Sequence, residues 1–268
     1  MSSIMLYGPP GGGKTTLAAS LYKLGFIPTF IDLDRKVRTM ENLQEPLASG
    51  KIRVIDFKSR LVEESFKNRI KKGIGGPTGK MLKEPQGYME IADIVTQLEE
   101  QPVEDHDKVV PILDSFTRAD EHLKRYIMWA NQRNVITQPD WGFIRTNFEE
   151  LFDSWFRMQP LTYPHCVIIA HDRPERDELD GRVKIRPQIS SGFRDVAGSY
   201  VDEQYYCFVE VSRSGEAEYK VMTKPVGQVD QARTSRVLNT WVPADFELIF
   251  NAPKAEKKKP IQGPKLKK

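Results

Sequence analysis

Short apolar runs alternate with amphipathic stretches along most of the chain. Ile4 to Tyr7 is the first run, followed by a glycine-proline loop and a helix-spaced segment from Lys14 to Leu24. Pro28 to Leu33 and Ile52 to Phe57 read as two more buried strands, because continuous apolar runs bounded by turn residues suit a sheet covered on both faces. Ile91, Ile94, Val95 and Leu98 recur at helical spacing within Tyr88 to Glu100. Val109 to Leu113 predicts a fourth strand ending in Asp114. Helices are expected over about 116–133 and 140–158, and a fifth strand over Cys166 to Ala170 ends in His171. Val201 to Ser212 and Ala217 to Thr223 predict a β-hairpin turned at residues 213–216, and a short helix over Ala244 to Phe250 comes after it. Strands alternating with helices imply an α/β fold: a mainly parallel sheet flanked by helices, with the late hairpin adding antiparallel strands at one edge.

Composition refines this picture at three points. The chain has 268 residues, 39% hydrophobic and 29% charged, enough for one large domain with a sizeable core. The longest apolar runs, such as Val167 to Ala170, are too short to span a bilayer, and the chain opens into a strand and loop that leave no room for a cleaved leader. Cys166 and Cys207 lie in apolar strand-like runs and read as reduced core residues, which suits a cytoplasmic protein. Charge is uneven: residues 254–268 hold seven lysines and one glutamate, a local +6 against a chain total of +3, which leaves the rest at −3. The expected organisation is a single domain over residues 1–250, with a charged, glycine-bearing excursion at 60–86. A disordered basic tail at 251–268 completes it.

The candidate chemistry begins in the first loop. Gly8, Pro9, Pro10, Gly11, Gly12, Gly13, Lys14 and Thr15 satisfy the pattern G-x-x-x-x-G-K-[ST], with Thr16 next. Glycines allow positive φ and bring backbone N–H groups against phosphate oxygens, and the helix N-terminus adds its dipole. Lys14 supplies a charge to the β- and γ-phosphates, and the Thr15 hydroxyl ligates Mg2+. Asp114, at the carboxyl end of the fourth strand, is placed to hold the same Mg2+ through water. An attacking water also needs an orienting carboxylate. Asp34 is the first candidate and Asp32 its rival. His171 ends the fifth strand on the same edge, where it can contact the γ-phosphate and signal into residues 172–188.

These pieces, in order, make the chain resemble the phage-encoded RecA-like single-strand annealing ATPases, which are RecA ATPase cores without flanking DNA-binding domains. The resemblance spans roughly residues 3–250 and rests on YGPPGGGKTTLA, IDLD, VVPILDSFT, PDWGFI, HCVIIAHD, Val201-Asp202 and the basic stretch Ala232 to Arg236. It implies a RecA-like P-loop core that hydrolyses ATP with Mg2+. Single-stranded DNA is the implied substrate, in recombination or strand annealing, a homo-oligomer the implied assembly, and a single-strand-binding protein a further partner. It also implies that Arg233 or Arg236 reaches the γ-phosphate of a neighbouring subunit. Glutamate is common in the family where Asp34 stands, so this chain's carboxylate reaches about one methylene less far. The excursion at 60–86 is not a family feature; with Lys67, Arg69, Lys71, Lys72, Lys80 and Lys83 it reads either as a solvated decoration or as a DNA-contacting loop.

Two other classes share the same loop. A small P-loop kinase would use Arg173, Arg176 and Arg182 as a lid over its acceptor, and a nucleotide-gated binding protein would bind ATP without turnover. A GTP-specific site is disfavoured, because Thr223-Lys224-Pro225-Val226 lacks the aspartate of a guanine-reading N-K-x-D element.

Overall fold

The computed structural model describes residues 2–59, 84–176, 181–212 and 215–253. The core strands are β1 (Ser2–Gly8), β2 (Ile27–Asp32), β3 (Arg53–Ile55), β4 (Val109–Asp114) and β5 (His165–Arg176). The later strands are β6 (Val183–Pro187), β7 (Glu203–Val211), β8 (Ala217–Met222) and β9 (Trp241–Pro243). The helices are α1 (Lys14–Ala19), α2 (Gln44–Ala48), α3 (Gly87–Glu100), α4 (Phe116–Ala130), α5 (Asp140–Leu161), α6 (Ser191–Ala197) and α7 (Phe246–Asn251).

The sheet runs β3-β2-β4-β5-β1-β7-β8-β9, with β6 paired to β5 off this path. Pairings from β3 across to β7 are parallel, and β7-β8-β9 are antiparallel at one edge. The expected mixed α/β architecture holds, and it is that of a P-loop nucleotide-binding core.

The strands read as unbroken apolar runs because both faces are covered. In β1, Met5 enters one core cluster with α3, α4, α5 and α6, while Ile4 and Leu6 enter the other with α1 and α7. The first cluster centres on Phe116, Phe148, Phe152 and Phe193, whose rings meet edge-on or tilted at 4.7–6.3 Å. Such pairs add to what their area burial contributes. Cys166 and Cys207 are free and fully buried, and burial pushes the Cys207 thiol up to about 12. Both stay protonated and unreactive at neutral pH.

Several boundaries differ from expectation. The segment from Lys14 to Leu24 is α-helical only to Ala19 and then tightens into a 3₁₀ turn that Gly25 ends at φ 82°. β5 continues past His171 to Arg176, so residues 172–188 are not a plain loop: Asp172–Arg176 pairs antiparallel with Val183–Pro187. The excursion is described only from Glu84, so its basic residues lie outside the described residues, as does the tail from Lys254. No helix among the described residues is long and apolar enough to cross a membrane.

Because β2, β4, β5 and β1 are parallel neighbours in this sheet, their carboxyl ends share one edge. That is where ligands bind in open α/β sheets, and it carries Gly8, Asp34, Asp114 and His171 together.

Candidate functional site

The loop leaving β1 turns by glycine. Gly8, Gly11 and Gly13 have φ of 152°, 79° and 82°, conformations that a side chain resists. Close approach makes a second demand: a Cβ on Gly8 would lie 2.1 Å from the carbonyl oxygen of Cys207 in β7, and one on Gly12 would lie 2.9 Å from it. The neighbouring strand thus fixes the loop's floor. Gly12 N–H donates to Pro9 O at 3.0 Å, and Leu17 N–H to Gly13 O at 2.8 Å, which starts α1. Pro10, Gly11 and Thr16 are exposed along the rim.

Lys14 is 6% exposed and folds back, its Nζ donating to Gly8 O and Pro9 O at 2.7 Å each. Burial lowers its pKa, while Cys207, Asp114 and Asp172 act in the opposite direction. Two backbone carbonyls are weaker partners for an ammonium than a phosphate dianion, so the lysine is poised to exchange them.

Thr15 Oγ1 donates to Asp114 Oδ2 at 2.7 Å, joining α1 to the end of β4. Asp114 is buried, and burial pushes its carboxyl up to about 6, with the Thr15 hydrogen bond opposing and Asp34 and Asp32 adding to the rise. A hydroxyl and a buried carboxylate in contact are hard oxygen donors. A divalent cation there would relieve the cost of the charged carboxylate. No group of three or more His, Cys, Asp or Glu among the described residues could hold a metal by itself. Mg2+ suits such a sparse set, since it keeps several waters and takes the rest of its shell from phosphate oxygens.

The two aspartates after β2 separate cleanly. Asp32 accepts backbone N–H bonds from Lys36 at 3.2 Å and Val37 at 2.8 Å, which ties down its own turn. Asp34 turns toward the sheet's carboxyl edge. Its Oδ1 accepts from Arg118 Nε at 3.2 Å, and its Oδ2 lies 3.6 Å from His171 Nε2, beyond ordinary hydrogen-bond range. Burial alone would raise the Asp34 carboxyl, but His171, Arg118 and Ser115 together hold it well below the usual carboxylate range. Asp34 and His171 are therefore brought together beside Asp114, whereas Asp32 is occupied by the backbone.

His171 is also tied to α4 and to the far end of its own hairpin. Its N–H donates to Thr117 Oγ1 at 2.9 Å, Thr117 Oγ1 donates to Gln188 O at 3.1 Å, and Gln188 N–H donates to His171 O at 2.7 Å. These bonds close the root of the β5–β6 hairpin against α4. Next along, Tyr206 Oη donates to Asp172 Oδ2 at 3.1 Å. The hairpin carries Arg173, Arg176 and Arg182 exposed on its surface.

The arginines expected to reach a neighbouring subunit part company. Arg236 is 7% exposed: Nη1 donates to Phe250 O at 3.0 Å, the guanidinium lies 4.8 Å over the Phe250 ring, and Nε is 3.7 Å from fully buried Glu203. The Arg236 side chain is thus packed inward, a placement that differs from the outward reach expected of it. Arg233 is exposed, with its Nη2 on the carbonyls of Gly198 and Val201.

Two residues that sequence reasoning missed border the site. Arg118, in the first turn of α4, meets Asp34. Tyr219, on β8, lies against the loop from the opposite side, where a Cβ on Gly13 would sit 2.7 Å from its Cδ1. Tyr219 is 51% exposed. Neither residue belongs to a motif; only the strand order, which sequence periodicity does not report, brings them in.

Comparison with known proteins places the chain at the level of a domain family. No curated protein matches the chain. Among solved structures, it is similar to an ATP synthase subunit, NeqB, of Nanoarcheaum equitans, at 12% identity and a TM-score of 0.47. The match covers 80% of this chain and 46% of that one, so the chain spans under half the length of that subunit. Residues 2–240 match the family AAA_24, described as an AAA domain. With the phosphate loop and its acidic partner inside that span, the chain belongs to the AAA_24 family of AAA-domain P-loop proteins.

Proposed function

We propose that this protein is a Mg2+-dependent ATPase that acts on single-stranded DNA, in strand annealing or recombination, as a homo-oligomer with a RecA-like core. The observation that carries the ATPase reading is the 2.7 Å bond between Thr15 and buried Asp114 beside a complete phosphate loop.

In this reading, Gly8 to Thr16 cradle the triphosphate through backbone N–H groups and the start of α1. Lys14 leaves the carbonyls of Gly8 and Pro9 for the β- and γ-phosphates. Mg2+, held by Thr15 directly and by Asp114 through water, neutralises charge developing on the phosphates. Asp34 orients the attacking water: its depressed pKa keeps it ionised across the working pH range, which suits a hydrogen-bond acceptor. His171 touches the γ-phosphate and reports its loss to the β5–β6 hairpin through Thr117 and Gln188.

Support for single-stranded DNA comes from the sequence resemblance and from the exposed arginines of that hairpin on a body whose net charge is −3. Neutralised phosphates release counterions, so such contacts weaken steeply with salt. Arg233, exposed, is the arginine we assign to a neighbouring subunit's γ-phosphate, and a single-strand-binding protein could meet the lysine-rich tail.

Fluorescence anisotropy of a labelled poly-dT oligonucleotide, with ADP and with a non-hydrolysable ATP analogue, tests the DNA reading. Affinity that differs between the nucleotides, and falls on Arg173→Ala/Arg176→Ala substitution, is expected. Binding that ignores both nucleotide and arginines would contradict it.

A further inference from the structure

The first turn of a helix is a poor place for a cation, because the unpaired N–H groups there already present positive charge. Arg118 nevertheless stands at the third position of α4, behind the Ser115 cap, where glutamate or glutamine is usual. Its guanidinium turns toward the sheet's carboxyl edge and is held twice. Nε donates to Asp34 Oδ1 at 3.2 Å, and Nη1 donates to Glu121 Oε2 at 2.5 Å. The Asp34 side chain is 8% exposed and Arg118 37%, so the pair closes one side of the site while the arginine keeps access to solvent.

Both Asp34 oxygens are thereby engaged by protein groups. Its Oδ1 accepts from Arg118 and its Oδ2 lies nearest His171, with Ser115 a further partner. A γ-phosphate arriving beside it would repel the carboxylate and offer the guanidinium a pair of anionic oxygens that its planar fork can take bidentately. Glu121, one turn along α4, keeps hold of Nη1 while Nε changes partner.

We infer that Arg118 is a γ-phosphate-responsive clamp: it holds Asp34 in the empty site and shifts onto the γ-phosphate of bound ATP, releasing a carboxylate oxygen to orient water. The inference rests on the ATPase reading above. It assigns Arg118 a task that an ordinary surface ion pair would not have, namely telling a triphosphate from a diphosphate.

The test is calorimetric binding of ADP and of a non-hydrolysable ATP analogue, both with Mg2+, to wild type, Arg118→Ala and Arg118→Lys, with circular dichroism to confirm folding. Loss of one charge-assisted hydrogen bond predicts that Arg118→Ala weakens the triphosphate about tenfold and leaves ADP within about twofold. Arg118→Lys keeps the charge without the fork and recovers part of that loss, which also serves if the alanine variant does not fold. Equal weakening of both nucleotides, or of neither, overturns the clamp. Lys14→Ala runs in parallel. If it binds both nucleotides as wild type does, or if wild type binds neither, the nucleotide site itself is wrong and the clamp falls with it. That outcome is distinct from equal loss in the Arg118 variants alone.

Discussion

Replacing Arg236 by alanine separates a packing arginine from one that works on a neighbour's nucleotide. The substitution removes the Nη1 bond to Phe250 O at 3.0 Å, the cation–π contact at 4.8 Å and the charge 3.7 Å from fully buried Glu203. The bond and the ring contact contribute about 1 kcal/mol each. Glu203 keeps three donors, Tyr205 Oη, Ser235 N and Ser235 Oγ, so it is not left bare. Losing its counter-charge then costs about 1 kcal/mol or more, below the full penalty of an orphaned buried ion. The total is about 3 kcal/mol, and for a chain of this size it lowers the thermal midpoint by about 6–12 °C. Thermal unfolding monitored by circular dichroism reads that shift, and turnover per folded molecule at 25 °C reads the function. The account predicts a large fall in midpoint with nearly unchanged turnover. A wild-type midpoint with lost turnover would refute the reasoning and return Arg236 to the subunit interface.

The site itself sets three other outcomes. Asp114 has a native carboxyl at about 6 against about 3.9 unfolded. The native state therefore holds the proton longer, and stability falls as pH rises between those values. Asp114→Asn should stabilise nucleotide-free protein at pH 7.5 by up to about 3 kcal/mol, seen as a raised thermal midpoint, but not at pH 3.5, while abolishing Mg2+-dependent turnover; no gain at neutral pH would contradict the burial argument. Gly8→Ala would put a methyl 2.1 Å from Cys207 O, so it should cost about 2 kcal/mol or more and abolish nucleotide binding; unaltered binding by calorimetry would show that the loop has room. Tyr219→Ala should weaken ATP several-fold by loss of a stacking surface yet leave inorganic tripolyphosphate unchanged, and equal effects on the two ligands would place the base elsewhere.

The parts of this fold legible in the sequence are those where burial leaves a pattern. β1, β2, β4 and the start of β5 are covered on both faces, so each reads as an apolar run, and the phosphate loop announces itself by residue type and spacing. The β5–β6 ribbon left no such trace. From Asp172 to Arg176 the strand leaves the covered sheet as a charged segment that reads as loop, and its partner β6 alternates Val183 and Ile185 with Lys184 and Arg186 over only five residues, too few to stand out. β9, three residues long at the sheet edge, is silent for a similar reason. Asp32 and Asp34 could not be separated from the chain alone, because the difference lies in partners: the local N–H groups of Lys36 and Val37 for one, Arg118 and His171 for the other. Arg236 sits in a basic string and reads as surface. It is buried by Phe250, beyond it in sequence, and by Glu203, before it, contacts that only the folded edge of the sheet creates.

The most direct measurement is steady-state ATP hydrolysis by the purified protein with Mg2+, with and without single-stranded DNA, beside Lys14→Ala. The account predicts turnover that DNA stimulates and that the Lys14 variant lacks under both conditions. Turnover that survives Lys14→Ala, or no turnover with DNA and Mg2+ both present, would contradict it.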